Sequence, residues 1–147
     1  MVSKRLRREV ADRAGHVCEF CHFPEAADVV DFAVIDLITE IEFHVDHVRP
    51  RRHKGGNELG NLAWTCALCN IAKGYNLSGR DPTTGDYVPL FNPRTQNWKR
   101  HFKWIGAELR GRTKSGRATV ETLAINDVDR MLARSELMQV GLNPDWS

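Results

Sequence analysis

The chain has 147 residues, 41% of them hydrophobic, and a formal net charge of +2. That suits one domain, or one compact unit with an appendage, whose modest core a structural metal would reinforce. The longest apolar-leaning run, Val29 to Val45, is broken by Asp31, Asp36, Glu40 and Glu42, which excludes a membrane span. The basic N-terminus lacks a following apolar stretch, so no secretion signal is read and cytoplasmic residence is expected.

In chain order, Lys4 to Ala14 reads as a short helix with Leu6, Val10 and Ala14 on its apolar side, stopped by Gly15. Pro24-Glu25-Ala26-Ala27 can open a helical or irregular excursion, and the stretch after it is compatible with strand or helix. From Phe43 to Val48, Phe43, Val45 and His47 alternate with His44, Asp46 and Val48, the period of a strand. Pro50 ends it, and a basic loop containing Gly55-Gly56 follows. Leu62-Ala63-Trp64 is a short return strand, and Cys66-Ala67-Leu68-Cys69 turns into a helix that stops near Gly74.

Arg80 to Pro93 is rich in turn signals. Trp98, Phe102 and Ile105 then recur at helical spacing, and Gly116 to Val120 looks like a hairpin or strand entry. Asn126 is placed to cap a helix through Met138, with Val128, Met131, Leu132, Ser135 and Leu137 facing inward and Gly141 and Pro144 closing it.

All four cysteines fall in two matching pairs, Cys18-x2-Cys21 and Cys66-x2-Cys69. This spacing suits a tetrahedral structural zinc site. Disulfides compete with it, but the missing export signal counts against them. A redox pair would need one such motif at a helix start after a strand, rather than two matching knuckles.

Charge is segregated. Acidic residues dominate Glu25 to Glu42, while basic ones gather at Lys4-Arg5-Arg7-Arg8, Arg49-Arg51-Arg52-Lys54, Arg94 to Lys103 and Arg110 to Arg117. Such clusters fit a polyanion if folding assembles them, or an ordinary charged surface if it does not.

Between the cysteine pairs lies Asp46-His47. Phosphodiester attack needs an activated water, charge relief on the phosphoryl oxygens and help for the departing oxygen. His47 can accept a proton near neutral pH, and Asp46 offers a hard oxygen to a divalent cation. Strand neighbours point to opposite faces, so the two need not compete for one position.

The run Phe43 to Pro50, then Gly55-Gly56-Asn57, Asn61-Leu62 and Cys66 to Lys73, resembles the HNH endonuclease family. The resemblance covers Cys18 to Lys73, and Pro89 to Arg94 with Trp98 to Phe102 looks like an extension seen beside bacterial HNH cores. It implies an α+β chain: a ββα-metal core with zinc knuckles over residues 1–79, and a mainly helical, basic extension over 80–147 packed on it. By resemblance, His47 is the general base and Asp46 a metal ligand. Asn61 fixes the loop that bears the base, and Asn70 offers its amide oxygen to the cation. Two oxygen ligands favour Mg2+ or Mn2+ there, beside structural Zn2+ on Cys18, Cys21, Cys66 and Cys69.

The expected activity is metal-dependent hydrolysis of DNA to 5′-phosphate and 3′-hydroxyl ends. Arg49, Arg51, Arg52, Lys54 and Lys73 would contact DNA, with Arg94, Lys99, Arg100 and Lys103 widening the path. A monomer would nick, and a homodimer could cut both strands. The competing reading is a zinc-supported DNA-binding module without catalysis. His44 shares the face of Asp46 and can approach the cation or serve structurally, His53 and His101 fit polar packing, and Trp98, Phe102 and Trp104 suit packing more than base stacking.

Overall fold

A computed structural model of the chain describes residues 2–25 and 41–143. The excursion expected after Pro24, most of the stretch following it, and Pro144 lie outside these residues.

Helix α1 (Lys4–Arg13) starts where the Ser3 hydroxyl accepts a hydrogen bond from the Leu6 amide at 3.1 Å. It buries Val10 and Ala11. Two of its arginines hold it to the core: Arg7 donates to the Phe43 carbonyl at 2.8 Å and Arg13 to the Leu59 carbonyl at 2.8 Å. Part of the N-terminal basic cluster is therefore structural.

Strands β1 (Phe43–His47) and β2 (Leu62–Cys66) pair antiparallel, from Phe43 opposite Cys66 to His47 opposite Leu62. Every residue of β2 is buried. Helix α2 (Ala67–Lys73) follows directly, completing a β-β-α unit. Its start is set by Cys66, whose sulfur accepts from the Cys69 amide at 3.5 Å. The intervening loop closes tightly at Gly55, where a β-carbon would stand 1.7 Å from the Arg49 carbonyl oxygen, so only glycine fits.

Beyond the core, β3 (Ser78–Arg80) and β4 (Tyr87–Pro89) form a small hairpin. A single helical turn, α3 (Trp98–His101), runs into β5 (Phe102–Ile105), which pairs with β6 (Glu108–Gly111). Helices α4 (Lys114–Thr122) and α5 (Val128–Gln139) complete the extension.

Three expectations are corrected here. The helical spacing of Trp98, Phe102 and Ile105 covers only one turn, because Phe102 opens a strand and Ile105 is 41% exposed. Gly116 to Val120 is helical, not extended. Thr113 caps α4 by accepting from the Gly116 amide at 3.0 Å, and a β-carbon on Gly116 would meet the His101 carbonyl at 2.1 Å, so helix and hairpin cross there. Finally, Asp127 precedes α5 as its cap residue, while Asn126 turns its carboxamide onto Leu109, accepting from its amide at 2.9 Å and donating to its carbonyl at 2.7 Å. The buried face of α5 is Arg130, Arg134 and Leu137, with Val128 and Leu132 exposed.

The result is a mixed α/β core with small antiparallel sheets, a cysteine cluster and a helical C-terminal extension. One apolar cluster runs through both halves, joining Phe20, Phe43, Leu62 and Trp64 to Phe91, Phe102, Leu109, Leu123 and Leu137. The boundary expected at residue 79 falls inside β3. No described helix is long and apolar enough to cross a membrane.

Candidate metal and catalytic centres

Two centres sit at opposite ends of the β1–β2 ribbon. At the Phe43/Cys66 end, the sulfurs of Cys18, Cys21, Cys66 and Cys69 all lie within 4.8 Å of one another and all four residues are buried. None forms a disulfide. With Zn–S bonds of about 2.3 Å, tetrahedral sulfurs stand about 3.8 Å apart, and the Cys21 and Cys66 sulfurs are 3.7 Å apart. The donor set therefore fits a structural zinc ion. Burial pushes the Cys18 and Cys69 thiols up, whereas hydrogen bonds from the other three cysteines hold Cys21 well below the usual thiol value.

A component invisible in the sequence joins this cluster. Arg130 of α5, 8% exposed, directs Nη2 to the Cys69 sulfur at 2.9 Å and Nη1 to the Leu123 carbonyl at 2.6 Å. Burial disfavours its charge, but the Cys69, Cys21 and Cys66 sulfurs outweigh that and hold the guanidinium firmly protonated. Four thiolates around Zn2+ would leave two negative charges, and this cation would offset one of them. An arginine at helical spacing in an amphipathic segment looks like a surface residue, so no sequence signal identified it.

At the His47/Leu62 end, strand alternation separates the two central side chains. Asp46 is 4% exposed, whereas His47 is half-buried. The Lys73 ammonium, from the last turn of α2, lies 3.2 Å from Asp46 Oδ1 and 3.1 Å from Oδ2, and donates to the His47 carbonyl at 3.0 Å. Lys73 is itself 2% exposed. This corrects the expected DNA contact: the ammonium is spent on Asp46 inside the protein. Removing one partner of such a buried pair typically costs about 3–5 kcal/mol.

The pair is incomplete. Asp46 Oδ2 is buried and receives no aligned hydrogen bond. Burial raises the carboxyl above its ordinary range, and Lys73 only partly opposes this. An underprovided oxygen on a hard carboxylate is the feature that fits a divalent cation. Asn70, on α2 one turn before Lys73, is half-buried, and among the described residues nothing bonds its carboxamide.

The His47 ring is held by Asn57, whose Oδ1 lies 2.7 Å from Nε2. An amide oxygen only accepts, so Nε2 is the donor in this contact, which would leave Nδ1 as the acceptor nitrogen of a neutral ring. Asn57 was visible as a motif position beside Gly55-Gly56, but its partner was not. Asn61 clasps the same loop from within. Its Oδ1 accepts from the Arg49 amide at 2.8 Å, and its Nδ2 donates to the Arg49 carbonyl at 3.1 Å and the Gly56 carbonyl at 2.9 Å.

Arg49, Arg51, Arg52 and Lys54 are exposed on that loop, with the Arg52 guanidinium over the Tyr75 ring at 5.2 Å. His44 turns outward, its Nε2 3.6 Å from Glu42. His53 bonds the Tyr75 carbonyl at 3.0 Å, and His101 bonds Thr113 at 2.7 Å. Arg94 leaves the expected contact path, because it pairs with Glu19, which also accepts from the Trp64 amide at 2.7 Å. Burial lowers the Arg94 guanidinium to about 10.

Comparison with known proteins identifies one segment of the chain. Residues 18–76 match the HNH endonuclease family, and this segment is an HNH endonuclease domain carrying a four-cysteine cluster consistent with structural zinc. The chain is also similar to the Septu protein PtuB of Bacillus thuringiensis, with 31% identity over 72 residues. That alignment takes in 49% of this chain and 25% of the relative, so the chain spans a quarter of its length. No solved structure matches.

Proposed function

We propose that the protein is a metal-dependent DNA endonuclease that hydrolyses phosphodiester bonds to 5′-phosphate and 3′-hydroxyl ends. The observation that carries this reading is the buried Asp46 carboxylate with an underprovided oxygen, next in sequence to a histidine whose Nε2 is held by Asn57. Asp46 and Asn70 would hold Mg2+ or Mn2+, both hard cations suited to oxygen donors. Bound there, such a cation supplies charge relief for the phosphoryl oxygens and the departing 3′ oxygen. His47 Nδ1 takes the proton of the attacking water as the new P–O bond forms and the bond to the 3′ oxygen breaks. Asn57 sets the tautomer, and Asn61 holds the loop on which Asn57 stands.

Arg49, Arg51, Arg52 and Lys54 surround this loop and would bind the phosphates flanking the cut, giving affinity with little base choice. The zinc cluster sets the far end of the ribbon and takes no part in chemistry. The reading places the protein in the reducing cytoplasm, where four thiols stay available to zinc. One centre per chain makes a nick, and a symmetric dimer would cut both strands.

The rival reading is a DNA-binding module without catalysis. It draws on Lys73, whose ammonium already partly neutralises Asp46. Purified protein incubated with plasmid DNA separates the two. The nuclease reading expects Mg2+- or Mn2+-dependent nicking that falls by about a hundredfold or more in His47→Ala with zinc content unchanged. DNA binding without any cation-dependent cleavage by the wild type would establish the rival.

A further inference from the structure

Among the described residues, a strongly charged surface outside the HNH core has no role in the reading above: the outer side of α3 and the β5–β6 hairpin. In that hairpin Lys103 stands directly opposite Arg110. Like charges in opposed positions weaken a two-stranded ribbon. Lys99 and Arg100 precede the pair on α3 and Arg112 follows it, and all five side chains are exposed. Arg110 has Glu108 at 3.5 Å. Among the described residues, Lys99, Arg100, Lys103 and Arg112 meet no carboxylate, and the nearest partner of Arg112 is the Lys99 carbonyl at 3.4 Å.

Between them runs a groove of about 250 Å³ lined by Trp98, Lys99, Phe102, Lys103, Trp104 and Arg112. Cations beside aromatic walls raise two options, base stacking and backbone binding. Stacking loses. Trp98 already lies on the His22 ring at 4.0 Å, and its Nε1 donates to the Phe20 carbonyl at 2.9 Å. Trp104 sits between Trp98 and the Arg134 guanidinium, which lies 5.4 Å from its ring centroid. The indoles are wall material, and the cations are what the groove presents.

The geometry points to a second DNA-backbone contact on the C-terminal extension, made by Lys99 and Lys103 with Arg100, Arg110 and Arg112, and read through phosphates alone. This rests on the DNA reading above and extends it to a surface outside the HNH core. Trp98 holds the groove against the Cys18–Cys21 knuckle, hence near the zinc end of β1. His47 stands at the other end, about 13 Å along the strand. A DNA segment meeting both would extend beyond the scissile bond.

The test uses the full zinc-loaded chain and a duplex of about 30 base pairs, comparing wild type with Lys99→Gln/Lys103→Gln by fluorescence anisotropy across a salt series. Losing two phosphate contacts should lower the slope of log affinity against log salt by about 2 and weaken binding about tenfold near 0.1 M salt. Hydrolysis of bis(4-nitrophenyl) phosphate, too small to span the two sites, should be unchanged, as should zinc content. Affinity and salt slope equal to wild type would overturn the second contact while leaving the nuclease reading intact. A wild type that binds no DNA at low salt would overturn both.

Discussion

At the scale of single residues, the proposed chemistry turns on the 2.7 Å hydrogen bond from His47 Nε2 to Asn57 Oδ1. With Nε2 as donor, a neutral ring would keep Nδ1 as its acceptor. Asn57→Ala should therefore lower kcat about ten- to a hundredfold while leaving KM nearly unchanged, measured by steady-state cleavage of a labelled duplex. Equal losses from KM alone would assign Asn57 to DNA binding instead. The alternation of Asp46 and His47 on β1 was legible in sequence because it is intrinsic to a strand. Asn57 and Lys73 were seen as residues but not as partners. Hydrogen bonds that close a ten-residue loop, or turn a lysine inward from the end of a helix, depend on how β1 and α2 pack. No local periodicity encodes that.

At the scale of elements, the β3–β4 hairpin is stabilised from outside. Arg117 of α4 grips Asp81 with two hydrogen bonds, 2.8 Å to Oδ1 and 2.9 Å to Oδ2, while Thr84 adds a third at 2.8 Å. Arg117 is the main cause that holds the Asp81 carboxyl well below its usual range. A depressed carboxyl stabilises the fold fully above its unfolded value, near pH 4, and loses that contribution as pH falls toward the folded value. Asp81→Asn should thus melt at a lower temperature than wild type at neutral pH, and the gap should narrow steadily below about pH 4. A gap independent of pH would show that shape, not charge, matters at this position.

The elements also differ in how plainly they were written. β1, β2, α1 and α2 follow from alternation, caps and glycine stops close to their own residues. The three-residue strands of the hairpin are too short to show a period, and α4 carries Thr119 and Val120, which favour strands until Thr113 caps the segment as a helix. The inward face of α5 was read only in part: Leu137 is buried as expected, but the other two buried positions are arginines. Their burial makes sense only beside the cysteine cluster, to which Arg130 bonds directly, and the Trp104 ring, over which Arg134 lies.

That link sets the behaviour of the whole molecule. The four-cysteine cluster joins the segment after α1 to the β1–β2 ribbon, and Arg130 extends the connection to the C-terminal helix, so a metal held there should be coupled to the extension. Arg130→Met should weaken zinc retention about ten- to a hundredfold in competition with a chromophoric chelator. Zinc removal should also expose α5 amides to hydrogen exchange together with the knuckles. Wild-type zinc affinity in Arg130→Met would mean that the guanidinium–sulfur contact contributes nothing to the site.

The same ribbon that holds the four-cysteine cluster at one end carries Asp46 and His47 toward the other, and the nuclease reading depends on a divalent cation binding between Asp46 and Asn70. Crystals of the zinc-loaded protein soaked in Mn2+ test this directly by anomalous scattering. The account predicts two peaks: one within the four sulfurs, and a second, matched to Mn2+, bridging the Asp46 carboxylate and the Asn70 amide oxygen. A map with the sulfur-bound peak alone, and the Lys73 ammonium still on Asp46, would contradict it.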